Sequence, residues 1–447
     1  MSQTKKVVII GGVAGGMSAA AKAKRENPEL EVTVFERSHY ISYGACGMPY
    51  VIGGLIPDLE KLVSRSPEGM ADEGVEVKVR HEVTQVDHEN RVVTVQNLET
   101  DETFEEPYDV LVLATGAQAV RPDLPGIDLD NIYTLRRMED AAAIMAATEG
   151  AKRAVIVGGG YIGLEMAEAL TLAGLEVSVV EMSEHLLASV TPDYSNIAVE
   201  ELEKNGVSVY LDTEVTGFEG DGKVERVMTG TGELSADLVI VAVGVKPNSE
   251  LAERLGVELG PNDAILTDNK LRTNVEDVYA VGDVSAARHM LTDQPTWLPL
   301  GDTANKQGRV AGTVIAGKEA TFRGILGTAV TKVFERAFAT TGLSEKAAQE
   351  AGFDAASVCI EDTDHAGYYP DKSSLSVTLV WERETQKLLG AQFAGYGDAV
   401  KRVDVIAALL LRDSTLAHLA DLDMAYAPPF SGVWDSLLVA ANVALSD

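Results

Sequence analysis

Two copies of one local pattern constrain this chain more than any other feature. Lys6 to Ile10 reads as a buried strand. It runs into Gly11-Gly12-Val13-Ala14-Gly15-Gly16 and an Ala-rich helix that ends near Asn27-Pro28, after which the strand Val32 to Phe35 stops at Glu36. Further on, Ala154 to Val157 leads into Gly158-Gly159-Gly160-Tyr161-Ile162-Gly163, the helix Leu164 to Leu172 and the strand Val177 to Val180, which stops at Glu181. A strand, a glycine turn, a helix, a second strand and an acid form a dinucleotide site. The glycines let the backbone approach a pyrophosphate, the helix N-terminus faces its charge, and the acid accepts from ribose hydroxyls. The first copy carries Val13 where a middle glycine is usual, and the second is intact. Glycine turns that only pack a helix on a strand would explain one copy, but two copies in one chain predict two dinucleotides.

The rest of the chain falls into place around these units. Arg91 to Glu105 reads as a polar β-meander, and Asp109 to Ala117 as a buried strand ending in the tight turn Thr115-Gly116. Arg121-Pro122-Asp123-Leu124-Pro125-Gly126 is a crossover linker into the second unit, which closes with Asp237 to Val243 and Gly244. Val278 to Asp283 is a further strand ending in Gly-Asp, where a carboxylate would sit at a strand tip beside a cofactor, and the segment from Trp297 to Arg309 begins a helix crossing back over that site. From about Ile325 short β-type runs alternate with helical ones and no nucleotide motif recurs. The expectation is an α/β protein with two Rossmann-like domains and an α+β C-terminal domain. Its boundaries are 1–120 with 245–324, 121–244, and 325–447.

One thiol stands out inside this frame. The chain has only two cysteines, Cys46 and Cys359. Two cysteines make no disulfide framework, and no CxxC or His/Cys cluster suggests a metal. Cys46 lies in Ser42-Tyr43-Gly44-Ala45-Cys46-Gly47-Met48-Pro49-Tyr50, just after the first nucleotide unit. If it opens a short helix, unpaired N–H groups and the dipole favour its thiolate, the reactive form. Cys359 follows Ala355-Ala356-Ser357-Val358 in a strand-type run, and a core position is expected for it. The formal net charge of −32 argues against nucleic acid or an anionic membrane as partner, so any anionic ligand must be held by local N–H groups and a few placed cations. No apolar run approaches the ~18 residues of a membrane span. The first apolar run breaks at once into Gly11-Gly12, so a first strand rather than a leader is read and a cytoplasmic location expected.

Two dinucleotide units, a redox-type cysteine after the first, Ala-Thr-Gly, Gly-Asp and a non-nucleotide C-terminal domain together resemble the flavoprotein pyridine nucleotide–disulfide oxidoreductases over essentially the whole chain. The single cysteine is similar to the branch holding coenzyme A-disulfide reductases, NADH oxidases and NADH peroxidases. The segment from Ser42 to Tyr50 looks like the active-site motif of the coenzyme A-disulfide reductases. Ala14 stands where oxidases and peroxidases usually carry histidine. Tyr426-Ala427-Pro428-Pro429-Phe430 and Tyr368-Tyr369-Pro370 look like the tyrosine-bearing segments those reductases place over the partner subunit's cysteine, with Tyr368 favoured over Tyr369 by spacing.

That resemblance implies FAD at Gly11, Gly12, Ala14, Gly15, Gly16, Glu36, Arg37, Val83, Thr115, Gly116, Asp283 and Ala304. It implies NAD(P)H at Gly158, Gly160, Tyr161, Ile162, Gly163, Glu165, Glu181 and Gly244, with Tyr161 gating the nicotinamide pocket and Glu165 orienting it. It also implies a homodimer with a shared active site. Cys46, Tyr426 and Tyr368 are the catalytic candidates, and Ser42, Lys22, Arg65 and Asn305 are candidates for holding coenzyme A. The acid Glu181 favours NADH, with NADPH tolerated because His185 lies close by. The leading expectation is reduction of coenzyme A disulfide through a Cys46–S–S–CoA mixed disulfide, the bound thiol supplying the second sulfur that the chain lacks. The alternatives are persulfide or polysulfide reduction, an NADH oxidase or peroxidase cycling Cys46 through sulfenic acid, and a flavin-bearing electron carrier or sensor that does not need the thiol. Some relatives carry a C-terminal rhodanese domain, and the chain stops at Asp447, too soon for one.

Overall fold

The computed structural model describes residues 4–446. Three five-stranded sheets organise them. In the first sheet the strand order is Val278–Ala280, Val110–Leu113, Lys6–Ile10, Glu31–Glu36, Val75–Val79, and all neighbours run parallel. In the second it is Ser208–Tyr210, Glu176–Val180, Arg153–Val157, Leu238–Val241, Ile132–Tyr133, again parallel. Covered on both faces, such sheets need uninterrupted apolar strands. Val110–Leu113 and Leu238–Val241 meet that need, with every residue buried. The pairing Val278 to Leu111 returns the chain to the first sheet after the second is complete.

Each parallel sheet is accompanied by an antiparallel meander. The first meander comprises His81–Asp87, Val92–Asn97 and Thr103–Pro107. It opens one strand earlier than the alternation from Arg91 indicates. Arg80, at φ +57°, turns the chain directly from Val75–Val79 into it.

The third sheet is antiparallel, in the order Ala329–Val333, Arg336–Gly342, Leu388–Tyr396, Ser374–Glu382, Ala355–Thr363. The helices Val403–Leu410, Leu416–Ala420 and Ser436–Ser446 pack on it around Leu375, Val377, Phe393, Ile406 and Leu437. The expected core position of Cys359 is not what the structure shows. It lies on Ala355–Thr363, an edge strand whose Ser357, Cys359 and Glu361 all face outward, and the thiol is exposed. Period-two alternation left either face available to it, and the tertiary packing chose Val358 and Ile360 for the inner one.

The closest helix pair places the first glycine turn. The helices Ala14–Glu26 and Gly301–Ile315 cross where a Cβ on Gly308 would sit 2.2 Å from the Gly15 carbonyl oxygen and 2.8 Å from Ser18 Cβ. Backbone cannot yield as a flexible side chain can. Gly308→Ala should therefore cost about 1–3 kcal/mol of stability through overpacking. It should also weaken retention of any nucleotide held at Gly15. Thermal unfolding of the holoprotein and of the stripped protein checks this, and an unchanged Tm in both would contradict it.

Candidate active site

Both glycine turns deliver bare N–H groups to the same kind of place. Gly11 adopts φ +109° and Gly158 φ +107°, so each turn leaves its strand tightly. A Cβ on Gly11 would lie 2.1 Å from the Ala114 carbonyl oxygen, and one on Gly158 2.5 Å from that of Ala242. Among the described residues, the N–H groups of Ala14, Gly15 and Gly16, and of Tyr161, Ile162 and Gly163, have no acceptor. Three unpaired donors at the tip of a helix are what a pyrophosphate satisfies, so the residues present fit a dinucleotide at each turn.

The two acids brace the turns in the same way. Glu36 accepts from the Gly12 N–H at 2.7 Å and the Ser38 N–H at 2.8 Å, and Glu181 accepts from Gly159 at 2.7 Å and Ser183 at 2.8 Å. Each carboxylate oxygen keeps a further lone pair for a ribose hydroxyl. Burial pushes the Glu36 carboxyl up, against the pull of its two N–H donors.

The cysteine segment hangs from the first turn. Ser42, at φ +46°, donates its N–H to the Gly12 carbonyl at 2.9 Å, and its own carbonyl accepts from the Ser64 N–H at 2.8 Å. Gly44 N–H reaches the Leu62 carbonyl at 2.9 Å. Cys46 then sits in the 3-10 turn Ala45–Gly47, followed by the short helix Met48–Ile52, and it reaches solvent. A thiolate favoured by a helix terminus does not result. Partial burial of the sulfur, then the carboxylates of Glu165 and Asp283, push the thiol up, and Arg136 together with the residue's own backbone opposes them weakly. A single 3-10 turn offers too few aligned peptides to outweigh two carboxylates.

Those carboxylates arrive from different parts of the chain. Asp283, at the tip of the strand Val278–Ala280, forms an ion pair with Arg136, whose Nε donates to the Ala117 carbonyl at 3.0 Å. Trp297 Nε1 donates to the Asp283 carbonyl at 2.8 Å. Glu165 projects from the helix Tyr161–Leu172, where burial, then Glu168, raise its pKa to about 7, against the influence of Thr331 and Lys332. Glu168 is buried, ion-paired with Lys332 and hydrogen-bonded to the Phe334 N–H at 3.0 Å. The Lys332 ammonium also lies 5.7 Å from the centre of the Tyr50 ring. Burial, then Glu165, Glu168 and Cys46, push the Tyr50 phenol up to about 12. The cysteine segment, the second nucleotide helix and the first strand of the third sheet thus share one electrostatic neighbourhood.

The other candidate residues are placed as follows. Thr115 Oγ1 donates to the Asn248 carbonyl at 2.7 Å, and Asn248 Nδ2 returns a bond to the Thr115 carbonyl at 2.7 Å, beside Gly116 at φ +67°. Val83 is buried against Phe35 in the apolar core, and Arg37 pairs with Glu82 at 3.6 Å. Ala304 lies on the crossing helix, where a Cβ on Gly282 would be 3.7 Å from its methyl. Gly244, at φ +118°, and Gly160 have open space where a Cβ would project. Tyr161 hydroxyl meets Ser189 Oγ at 2.7 Å.

Three of the residues expected to hold coenzyme A have partners within the chain. Lys22 pairs with Glu26, which also takes Lys318 at 2.6 Å, and these cations hold the Glu26 carboxyl down at about 2. Arg65 pairs with Glu73 at 2.5 Å, and Asn305 accepts from Ser18 at 2.6 Å. Tyr368 and Tyr426 bring their hydroxyls to 3.1 Å of each other on the exposed face of the third sheet's domain, while Tyr369 stacks on His365. Sequence reading missed Arg136, Glu168 and Lys332. Each is a lone charged residue whose significance lies in a partner at least 147 positions away or across the chain, and no local pattern marks them.

Ionised Glu165 holds the Cys46 proton on, so removing that charge must release it. Glu165→Gln should raise the rate of Cys46 alkylation at pH 8 by about two- to fivefold, since the thiolate fraction grows as the pKa falls. The gain should fade below pH 7, where Glu165 is itself protonated. Mass spectrometry of the Cys46 peptide separates this signal from exposed Cys359, and a slower or unchanged rate would contradict the assignment.

Comparison with known proteins agrees with this geometry. The pyridine nucleotide-disulphide oxidoreductase family matches residues 5–311, and its dimerisation domain matches 328–437. The chain is 42% identical to an NAD(P)H coenzyme A polysulfide/persulfide reductase of Pyrococcus horikoshii, covering 98% of each. It is 33% identical to a coenzyme A disulfide reductase of Staphylococcus epidermidis (95% of this chain, 96% of the relative) and 34% identical to an NADH oxidase of Methanocaldococcus jannaschii (98% of each). The solved NAD-dependent persulfide reductase from A. fulgidus superposes with a TM-score of 0.96 at 36% identity, over 99% of this chain and 83% of that one. The chain therefore belongs to the pyridine nucleotide–disulphide oxidoreductase family, and it is an NAD(P)H-dependent flavoprotein reductase.

Proposed function

We propose that the protein reduces coenzyme A-linked persulfide or polysulfide sulfur, with coenzyme A disulfide as a second substrate, using NADH, bound FAD and the single thiol Cys46. The observation that carries this reading is one solvent-reachable sulfur, on a segment anchored to the first glycine turn and in the field of Glu165 and Asp283, with the only other cysteine on the edge strand Ala355–Thr363. The greater likeness to a polysulfide/persulfide reductase than to a coenzyme A disulfide reductase ranks the persulfide ahead of the disulfide.

FAD, when bound, supplies the two-electron relay between NADH and sulfur. The chain's own groups do the rest. Thiolate Cys46 attacks the carbon-bound sulfur of a coenzyme A persulfide. The bond Cys46–S–S–CoA forms, the outer S–S bond breaks, and hydrosulfide leaves. An electron pair originating in NADH then cleaves the mixed disulfide to Cys46 thiolate and coenzyme A thiol. In sum, persulfide and NADH become thiol, hydrosulfide and NAD⁺. With coenzyme A disulfide the same cycle releases two thiols and takes up one proton.

Because burial and two carboxylates hold the Cys46 thiol up, its thiolate needs help from groups brought to it. In our reading the chain is a homodimer in which Tyr368 and Tyr426 of one subunit donate hydrogen bonds to sulfur at Cys46 of the other. Ser42 and Asn305 lie toward the pantetheine. Lys22 and Arg65 serve the phosphates only by exchanging their present carboxylate partners. The FAD-binding part comprises 1–120 with 245–324, the NAD(P)H-binding part 121–244, and the dimerising part 325–447. Glu181, with its carboxylate braced at the ribose end, favours NADH, with NADPH tolerated.

Anaerobic turnover with NADH tests the reading. Coenzyme A persulfide should release sulfide and coenzyme A disulfide should release thiol, both faster than oxygen is consumed in aerobic controls. Cys46→Ser should lose at least a thousandfold in sulfur turnover while NADH still bleaches the flavin. Rapid oxygen consumption with negligible sulfide or thiol would instead establish the oxidase chemistry, which Ala14 argues against. The specificity constant should be at least tenfold higher for NADH than for NADPH, and the reverse order would overturn the role given to Glu181.

A further inference from the structure

The two tyrosine-bearing segments are far apart in sequence and have no secondary structure of their own. Residues 364–373 join the strands Ala355–Thr363 and Ser374–Glu382, and residues 421–435 join the helices Leu416–Ala420 and Ser436–Ser446. Two direct contacts link them, the 3.1 Å approach of the Tyr368 and Tyr426 hydroxyls and a 3.2 Å bond from the Ala366 N–H to the Pro428 carbonyl. Both tyrosines are exposed, Tyr368 at 76% and Tyr426 at 46%, so their own packing cannot fix this geometry. Something beneath them must.

Arg402 lies beneath both. It ends the 3-10 segment Gly397–Arg402, and only 14% of its side chain is exposed. Its Nη2 donates to the Asp364 carbonyl at 3.2 Å, at the root of the first loop, and to the Phe430 carbonyl at 3.2 Å, in the second. Its Nε donates to Asp435 Oδ2 at 2.9 Å, and Nη1 to the Ala399 carbonyl at 3.2 Å. Asp435 is itself buried. It accepts from Ser431 Oγ at 3.0 Å and from the Leu437 N–H at 3.0 Å, which fixes the second loop to the start of the last helix. Asp364 in turn accepts the Ser373 N–H at 2.7 Å and closes the first loop. One planar guanidinium therefore spends three of its four bonds joining the two loops and the fourth on its own 3-10 segment, a task for which a lysine ammonium lacks the fork.

We propose that Arg402 is a positioning residue for the sulfur step, holding Tyr368 and Tyr426 as a pair through its bonds to Asp364, Phe430 and Asp435. This rests on the role proposed above for the tyrosines. Arg402 touches neither substrate nor cofactor and acts only through the loops it joins.

Arg402→Lys keeps a cation beside Asp435 but loses the bridge, and the double variant Arg402→Leu, Asp435→Asn removes both buried charges together, so one of the two should remain folded and dimeric. In either holoenzyme, turnover of coenzyme A persulfide should fall at least tenfold while anaerobic flavin reduction by NADH stays within twofold. Adding Tyr426→Phe should bring no further fall, because the residues act as one unit. A ¹⁹F resonance from 3-fluorotyrosine at position 426 should shift in Arg402→Lys as it does in Tyr368→Phe. A resonance that stays in place, or effects of Arg402→Lys and Tyr426→Phe that multiply, would overturn the proposal. If Tyr426→Phe alone leaves sulfur turnover unchanged, the role of the tyrosines fails, and the resonance still decides whether Arg402 sets their geometry.

Discussion

The structure turns on the scarcity of sulfur. A two-electron disulfide step needs two sulfur atoms, and the chain brings one, Cys46, beside its first nucleotide turn and within the field of Glu165 on the second nucleotide helix. The segment that carries this atom is held by backbone bonds, Ser42 to the Gly12 carbonyl, Ser64 to Ser42 and Gly44 to Leu62, and by the burial of Tyr43, Met48 and Leu62 in one core cluster. The cysteine segment is thus anchored directly to the first glycine turn. The second sulfur must come with the substrate, and the thiol must stay open enough to receive it.

The electrostatics follow from the same crowding. Four separate stretches of chain supply the charges Asp283, Arg136, Glu165, Glu168 and Lys332 around the site. In a chain of net charge −32, two ion pairs there limit the repulsion on a sulfur that has to carry negative charge during turnover. Neither pair touches Cys46, and they leave its thiol raised rather than lowered. Whenever Cys46 is a free thiol in the cycle, its reactivity therefore depends on what is brought against it.

The parts legible in sequence are those that local chemistry encodes. Gly11 and Gly158 are needed for positive φ and for close approach to a neighbouring carbonyl, Glu36 and Glu181 for bracing N–H groups across one turn, and both requirements leave fixed spacings. The tyrosine segment around Pro428-Pro429 stood out by its resemblance to a known motif. Arg402, Arg136 and Lys332 did not, because an arginine that bridges two loops and an arginine in solvent look alike until the chain folds. Two expectations failed on tertiary grounds. Cys359 faces outward because the alternation along Ala355–Thr363 is equally consistent with either face, and Cys46 is not a ready thiolate because its helical turn is too short to outweigh burial and two carboxylates.

The most direct test of a borrowed second sulfur is the mass of the Cys46 peptide in the resting holoenzyme, taken before and after one equivalent of NADH under anaerobic conditions following exposure to coenzyme A persulfide. The account predicts one coenzyme A joined to Cys46 by a disulfide, lost when NADH is added, with Cys359 unmodified. A resting Cys46 carrying oxygen instead of coenzyme A, or a coenzyme A adduct that NADH leaves in place, would contradict it.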